Sequence, residues 1–149
     1  MDAPPSLSVQ AVISTVSAIF SELNTGLLIY HLADPGEVYS LTLVYANDMA
    51  SRYTGTDLSL LIGKTIDEAF PALTGTDLPE TYAEISTGEK SVNLGAFEYK
   101  GDEHVGAGYF AVKAFPMPAR CVGVVFENIT LRKKIEQLIR KERNRRPMN

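Results

Sequence analysis

The segment CVGVVFENITLRKK, residues 121–134, changes from a strand pattern to a helix pattern within three residues. Its first six residues are apolar or small, a run that is typical of a buried strand. From residue 131 onward the chain carries eight basic and two acidic side chains, so the helix that follows is strongly basic. We therefore expect the last strand of a sheet to pass directly into a helix that leaves the domain as a linker.

The basic helix has a short apolar seam. Leu131, Ile135 and Leu138 follow the 4-3 spacing of a coiled coil. Glu142 and Arg145 occupy the next two seam positions, so the seam ends after two heptads. This pattern predicts a short helical contact with a partner.

The charge of the chain is divided unequally between its body and its tail. Residues 131–149 have a net charge of +6, whereas residues 1–130, with six basic and sixteen acidic side chains, have a net charge of −10. An acidic body repels phosphate backbones, and the tail has no interleaved aromatic side chains. We therefore rank nucleic-acid or anionic-membrane binding below a linker to an output domain or partner protein. A transcription regulator with a nucleic-acid-binding tail stays as an alternative.

The composition is typical of one compact domain. A chain of 149 residues with 45% hydrophobic content can bury a single core. Cys121 is the only cysteine, which excludes an internal disulfide and a cysteine-based zinc site. No apolar run approaches the roughly 20 residues of a membrane-spanning helix, and the N-terminus lacks the basic start of a secretory signal. We expect a soluble, cytoplasmic protein without a membrane span.

An amphipathic helix is predicted near the N-terminus, in SLSVQAVISTVSAIFSELNTG, residues 6–26. Its β-branched content makes it a poor helix in isolation, so its apolar stripe needs packing on the body or on a second copy of the chain. We assign this stripe to a homodimer interface, extended by the seam of the basic helix. The interface then comprises Val9, Val12, Val16, Ile19, Leu23, Leu131, Ile135 and Leu138.

Five β-rich runs predict the sheet. They are residues 26–32, 39–46, 91–100, 105–115 and 120–127. Between the second and third runs, short helices begin at two capping-box patterns, Thr65 with Glu68 and Asp77 with Glu80. Gly95 interrupts the third run and predicts a bulge. The order of elements predicts an α+β fold, a five-stranded antiparallel sheet with short helices on one face, flanked by an N-terminal amphipathic helix and a C-terminal linker helix.

Three motifs resemble those of PAS domains: VYANDMASRYTG at residues 44–55, LIGKTIDEAFP at 61–71 and VVFENITLRKK at 124–134. The resemblance covers residues 26–134. It implies a sensory core at 26–130 between an N-terminal cap or dimerisation helix at 1–25 and a signalling helix at 131–149. It also implies that Asn128, Ile129 and Thr130 relay the signal, although Asn128 stands where the family usually has Asp.

The resemblance also bears on cofactors. The flavin-binding branch with light-oxygen-voltage (LOV) domains uses a cysteine inside the helix that here reads LIGKTIDEAFP, and none is present. Haem-binding members commonly supply a histidine from the helix that here reads LPETYAEISTG, at residues 78–88, and none is present there. We expect neither covalent flavin nor haem, and the identity of any cofactor stays open. His31 is in phase with Leu27 and Ile29 and could face inward as a core histidine.

A pocket is expected between the sheet and the short helices. Its candidate residues are Met49, Tyr53, Ile66, Phe70, Leu94, Phe110, Val112, Val124 and Phe126. Mostly apolar walls with a few polar groups suit a small apolar or aromatic ligand. The acidic side chains stand singly in caps and turns, and no nucleophile triad, zinc spacing or phosphate-binding loop is present, so we expect no enzymatic activity.

Two functions therefore compete. In the first, pocket occupancy moves the final helix, and the domain is a ligand-binding sensor of a signal-transduction protein, such as a two-component system or transcription regulator. In the second, side chains fill the pocket and the domain is a ligand-free protein–protein interaction module. The size of the pocket discriminates between them.

Overall fold

The computed structural model describes residues 8–20 and 25–145. The predicted Leu23 contact and the side chain of Ile19 lie outside this description. The helices are α1 (Val9–Phe20), α2 (Asp48–Thr54), α3 (Ile66–Ala69), α4 (Leu78–Thr87) and α5 (Thr130–Arg145), and the strands are β1 (Gly26–Leu32), β2 (Leu41–Ala46), β3 (Val92–Tyr99), β4 (Gly108–Met117) and β5 (Cys121–Asn128). None of these helices combines the length and the apolar character that crossing a membrane requires.

The strands form one antiparallel sheet in the order β2-β1-β5-β4-β3. This confirms the predicted α+β fold with a five-stranded antiparallel sheet. β1 pairs with β5 from Gly26 opposite Phe126 to His31 opposite Cys121. The first and last strands of the sequence thus lie side by side in the middle of the sheet.

Alternation along the central strands separates two cores. Leu28 and Tyr30 of β1 and Val124 of β5 face the layer that contains α2, α3 and α4, which we call the inner face. Leu27 and Ile29 point to the opposite side, the outer face. The sheet therefore needs cover on both faces, which explains why its central strands are nearly continuous runs of apolar residues.

Helix α1 supplies cover for the outer face. Val12 is buried, with 3% of its surface exposed, in a cluster with Leu27, Ile29 and Cys121. Val9, Ile13 and Val16 are half-buried against the same cluster. Of the two partners predicted for the α1 stripe, the described residues therefore contact the chain's own sheet. In the single chain the apolar outer face is the partner of the α1 stripe, and a dimer contact through Val9, Val12 and Val16 stays a prediction.

Local signals at the start of the short helices are partly confirmed. The capping box at α3 is present, with the Thr65 N–H donating to Glu68 Oε1 over 3.0 Å. The one predicted at α4 is wrong: Asp77 already has a helical backbone, so its side chain makes no cap, and Thr76 Oγ1 instead accepts from the Leu78 N–H over 3.3 Å. The predicted bulge at Gly95 is confirmed by a register shift there and by a φ of +68°.

The asparagine that starts α2 ties that helix to the sheet. Asn47 Oδ1 accepts from the N–H groups of Ala50, at 2.8 Å, and of Leu27, at 3.0 Å. Its Nδ2 donates to the carbonyl of Thr25 over 2.9 Å. One side chain therefore caps α2 and also fixes the beginning of β1.

Candidate functional site

A cavity of about 60 Å³ lies between the inner face of the sheet and the helix layer. About 15 Å³ of such space holds one water, so the cavity has room for roughly four. Its lining residues are Leu28, Tyr30, Thr54, Phe70, Leu73, Leu78, Tyr82, Phe97, Tyr99, Val105, Phe110, Val112, Val124 and Phe126. None of these is charged, and the only polar side-chain groups on this wall are hydroxyls.

Aromatic rings form much of the wall. Tyr30 stacks on Tyr82 with ring centroids 5.6 Å apart and meets Phe70 edge-on at 6.4 Å. Phe110 makes T-shaped contacts with Tyr99 at 6.4 Å and with Phe126 at 5.7 Å. Such pairs stabilise by about 1 kcal/mol each beyond the area they bury. The wall therefore contains rings in mutual contact, and a displacement of one ring changes the packing of its neighbours.

Five of the nine predicted pocket residues line this cavity: Phe70, Phe110, Val112, Val124 and Phe126. Ile66 is fully buried in the same core but does not reach the wall. Tyr53 and Leu94 are half-buried and pack against that core from its edge. Met49 is half-buried outside it, because the cap at Asn47 sets the phase of α2 so that Ala50 points inward.

Among the wall residues that were not predicted, three could have been found from the spacing of residues in the sequence. Leu28 and Tyr30 alternate with the outer-face residues of β1, and Tyr82 lies four residues after Leu78 on α4. Burial raises the pKa of Tyr30 well above its ordinary value, and the neighbouring phenols Tyr82 and Tyr99 raise it further. Burial likewise raises the pKa of Tyr82. Both phenols therefore keep their protons at physiological pH.

Asp102 holds one end of the cavity together. It accepts hydrogen bonds from the Tyr99 hydroxyl and from the N–H groups of Ala72 (3.1 Å), His104 (2.8 Å) and Val105 (2.8 Å). Burial raises the pKa of Asp102, but the bonds from Tyr99 and the three N–H groups outweigh it and hold the pKa below its usual value. This carboxylate connects the β3–β4 loop to the helix layer.

The cysteine and its imidazole neighbour lie on the outer face, away from the cavity. His31 lies on the outer face, in phase with Leu27 and Ile29 as predicted, and its Nδ1 lies 3.8 Å from the Cys121 sulfur. Burial raises the pKa of the Cys121 thiol to about 11, against a small opposite effect of Arg120. The thiol is therefore protonated at physiological pH. Within residues 8–20 and 25–145, no three histidine, cysteine or carboxylate side chains come together as a metal site.

The junction between β5 and α5 is held by side-chain hydrogen bonds. Asn128 Nδ2 donates to the carbonyl of Tyr53 at the end of α2 over 2.9 Å, and its Oδ1 accepts from the Thr130 N–H over 3.0 Å. Thr130 Oγ1 accepts from the Tyr109 N–H over 3.0 Å. Ile129 between them is buried. A Cβ at Gly108 would approach Thr130 Oγ1 to 2.8 Å, so a side chain there would displace this hydroxyl from its position.

From Leu131 onward, α5 presents an apolar stripe that no described residue covers. Leu131, Ile135 and Leu138 are 71%, 48% and 65% exposed. Ile139, at 49%, widens the stripe and was not predicted, although its spacing of four from Ile135 is a readable signal. Glu136 lies 3.9 Å from Arg132 and 3.7 Å from Lys133. We call Leu131, Ile135, Leu138 and Ile139 the α5 stripe.

Comparison with solved structures identifies the fold. An RNA-binding light-oxygen-voltage receptor matches 97% of this chain at 14% identity and a TM-score of 0.57, and this chain spans only 42% of that protein. The RsLOV d2 variant matches 82% of the chain at 14% identity and a TM-score of 0.56, with 69% of its own length covered. No family model and no curated protein matches the chain. The likeness shows that the protein has a PAS-like fold.

Proposed function

We propose that this chain is a sensory and dimerisation module of a signal-transduction protein, which relays a change in its cavity to α5 and has no catalytic activity of its own. The fold is that of sensory domains. The observation that carries the proposal is the placement of Asn128, which hydrogen bonds to α2 and to the first turn of α5 at once. An output domain or partner protein would receive the signal from α5.

A contact path runs from the cavity to this asparagine. Phe126 lines the cavity, and its ring centroid lies 6.2 Å from that of Tyr53. The carbonyl of Tyr53 accepts the hydrogen bond from Asn128. A shift of Phe126 therefore acts on the residue that positions the start of α5, in a well-packed region where small displacements are transmitted.

The relay is tested with a substitution that removes one of the two hydrogen bonds of the Asn128 side chain and keeps the other. In Asn128→Asp the Oδ1 acceptor for Thr130 is kept, but the donor to Tyr53 is lost. We expect the cavity variant Phe126→Leu to shift the amide NMR signals of α5 in the otherwise native chain, and to shift them less than half as far in the Asn128→Asp background. Asn144→Ala, in the last turn of α5, is the control and keeps the full response. Equal responses in all three backgrounds would contradict the relay.

We further propose that the α5 stripe binds the same stripe of a second copy. The stripe is self-complementary in a two-stranded coiled coil, and no described residue of the same chain covers it. Within α5 seven basic and two acidic side chains give a net charge of +5. Two such helices repel each other, so added salt strengthens this dimer by screening. Nucleic-acid binding by the same helix would weaken with salt instead.

Sedimentation equilibrium of Ile135→Asp tests the dimer. We expect at least a tenfold weaker dimer, because a carboxylate in the seam loses both packing and hydration. Gln137→Asp introduces the same charge on the same helix off the stripe and serves as the control. We also expect the native dimer to strengthen between 50 mM and 500 mM salt. A native chain that stays monomeric across this range would refute the α5 interface, and retained, salt-sensitive binding to duplex DNA would favour the regulator with a nucleic-acid-binding tail.

The cavity does not fit covalent flavin chemistry. Flavin-sized ligands occupy pockets of several hundred Å³, far above the roughly 60 Å³ present. The chain's only thiol lies on the opposite face of the sheet and stays protonated. The small cavity also keeps the ligand-free interaction module as a second candidate, in which α5 pairing alone is the function.

A further inference from the structure

The polar groups on the cavity wall differ in whether they are already engaged. Thr54 Oγ1 donates to the carbonyl of Ala50 over 2.9 Å, and the Tyr99 hydroxyl donates to Asp102. The structure records no hydrogen bond for the hydroxyls of Tyr30 and Tyr82 among the described residues. No fully enclosed side-chain oxygen is left without a partner there, so both hydroxyls keep a small accessible area, and both residues line the cavity.

Each of these two hydroxyls can donate a hydrogen bond to an occupant of the cavity. Tyr30 and Tyr82 are only 1% and 3% exposed, and their phenols stay protonated. A buried O–H without a partner is less stable than one that donates a hydrogen bond. An occupant that offers a lone pair removes this cost, whereas a purely apolar occupant leaves it in place.

The rest of the wall disfavours a charged ligand. Ten of the fourteen lining residues are hydrocarbon, and none carries a charge that could pair with an ion. Moving an ion out of water into such surroundings is far more costly than moving a neutral molecule of the same size. The volume limits the occupant to a handful of non-hydrogen atoms unless Phe97, the half-buried wall residue on edge strand β3, moves aside.

We propose that the cavity binds a small uncharged molecule that carries one hydrogen-bond acceptor, such as a carbonyl or ether oxygen, and that the hydroxyls of Tyr30 and Tyr82 donate to it. This proposal rests on the proposed sensory function, and it specifies the class of ligand that the domain would sense. A ligand of about five non-hydrogen atoms has few atoms with which to contact the wall, so its binding is micromolar at its tightest. Such an affinity suits a compound sensed at metabolite concentrations.

Three probes with five non-hydrogen atoms and similar shape test the proposal by NMR titration of the whole chain: 2-butanone (neutral acceptor), 2-methyl-1-butene (neutral, no acceptor) and propanoate (charged). We expect 2-butanone to bind at least tenfold more tightly than propanoate. In Tyr30→Phe/Tyr82→Phe, which keeps both rings, we expect the ketone to bind about tenfold more weakly and the alkene to bind unchanged or more tightly. Tyr39→Phe, at an exposed tyrosine, is the matched control and leaves all three affinities unchanged.

Equal losses for ketone and alkene, no loss for the ketone, or propanoate binding as tightly as the ketone would each overturn the ligand class. Failure of all three probes with both the native chain and the enlarged-cavity variant Phe97→Ala would overturn the ligand class and the sensor proposal together. Binding of 2-butanone without any shift of the α5 amides would overturn only the relay. Thermal melting of each variant shows that it is folded under the conditions of the titration.

Discussion

Replacing Asp102 by alanine is expected to lower the free energy of unfolding by about 3 kcal/mol. The carboxylate accepts four hydrogen bonds, one from a phenol and three from backbone N–H groups. Each such bond contributes about 1 kcal/mol net, and partial exposure of the group reduces the sum. Urea denaturation measures the loss. Glu103→Ala, at the exposed neighbouring position in the same loop, is the control and should change stability by less than about 0.5 kcal/mol.

The same carboxylate predicts a pH dependence. Because the folded-state pKa of Asp102 lies below its unfolded value of about 3.9, its ionised form stabilises the fold above that pH. This contribution is lost as the pH falls below about 4 and through the folded-state pKa. Asp102→Asn lacks the titrating group, so its stability should approach that of the native chain as the pH is lowered. A constant difference between the two proteins from pH 7 to pH 2 would contradict the assignment.

Replacing Val12 by aspartate is expected to detach α1 and to lower the free energy of unfolding by about 3 kcal/mol. Val12 is enclosed by apolar outer-face residues such as Leu27 and Ile29. An unpaired charge is not tolerated there. The 12-residue helix has too little intrinsic stability to persist without this contact.

The single cysteine gives a direct measurement of this detachment. Cys121 is fully buried in the α1 cluster, and it is the only thiol in the chain. Labelling of Cys121 by a thiol reagent should therefore be slow in the native chain and at least tenfold faster in Val12→Asp. Ser14→Asp places the same charge on the exposed side of α1 and should label at the native rate. Fast labelling of both variants, or of neither, would show that Val12 does not hold the helix in place.

The sheet could be predicted because its signals are local and repeated. β-rich runs bounded by turn residues located the five strands, and the glycine at position 95 located the bulge. The end of β4 was missed: Pro116 and Met117 belong to the strand, and the turn is made by Ala119 and Arg120 with positive φ angles. Hydrogen bonds from the Arg120 side chain to the carbonyls of Leu32 and Ala33 support that turn, and these acceptors lie 88 and 87 positions away in sequence.

The site was harder to predict than the sheet. Four of the five predicted pocket residues on strands line the cavity, Val112 and Val124 among them, and Leu94 on β3 does not. On the short helices a one-residue error in phase exchanges core and surface, and Met49 was chosen where Ala50 points inward. The network around Asp102 joins segments thirty residues apart, and the partner of α1 depends on the outer face of the folded sheet. Neither the Asp102 network nor the partner of α1 can be inferred from the residue pattern of a single segment.

The length of α5 turns a small rotation at its base into a large displacement at its end. With 16 residues at about 1.5 Å each, the helix extends roughly 24 Å from the β5 junction. A tilt of about 10° about Thr130 would move its far end by roughly 4 Å, nearly the rise of one helical turn. In the proposed relay, the hydrogen bonds at Asn128 and Thr130 would be the pivot of this tilt. A movement of the wall too small to alter the fold would then be large enough at the far end of α5 to change which residues of a partner helix it contacts.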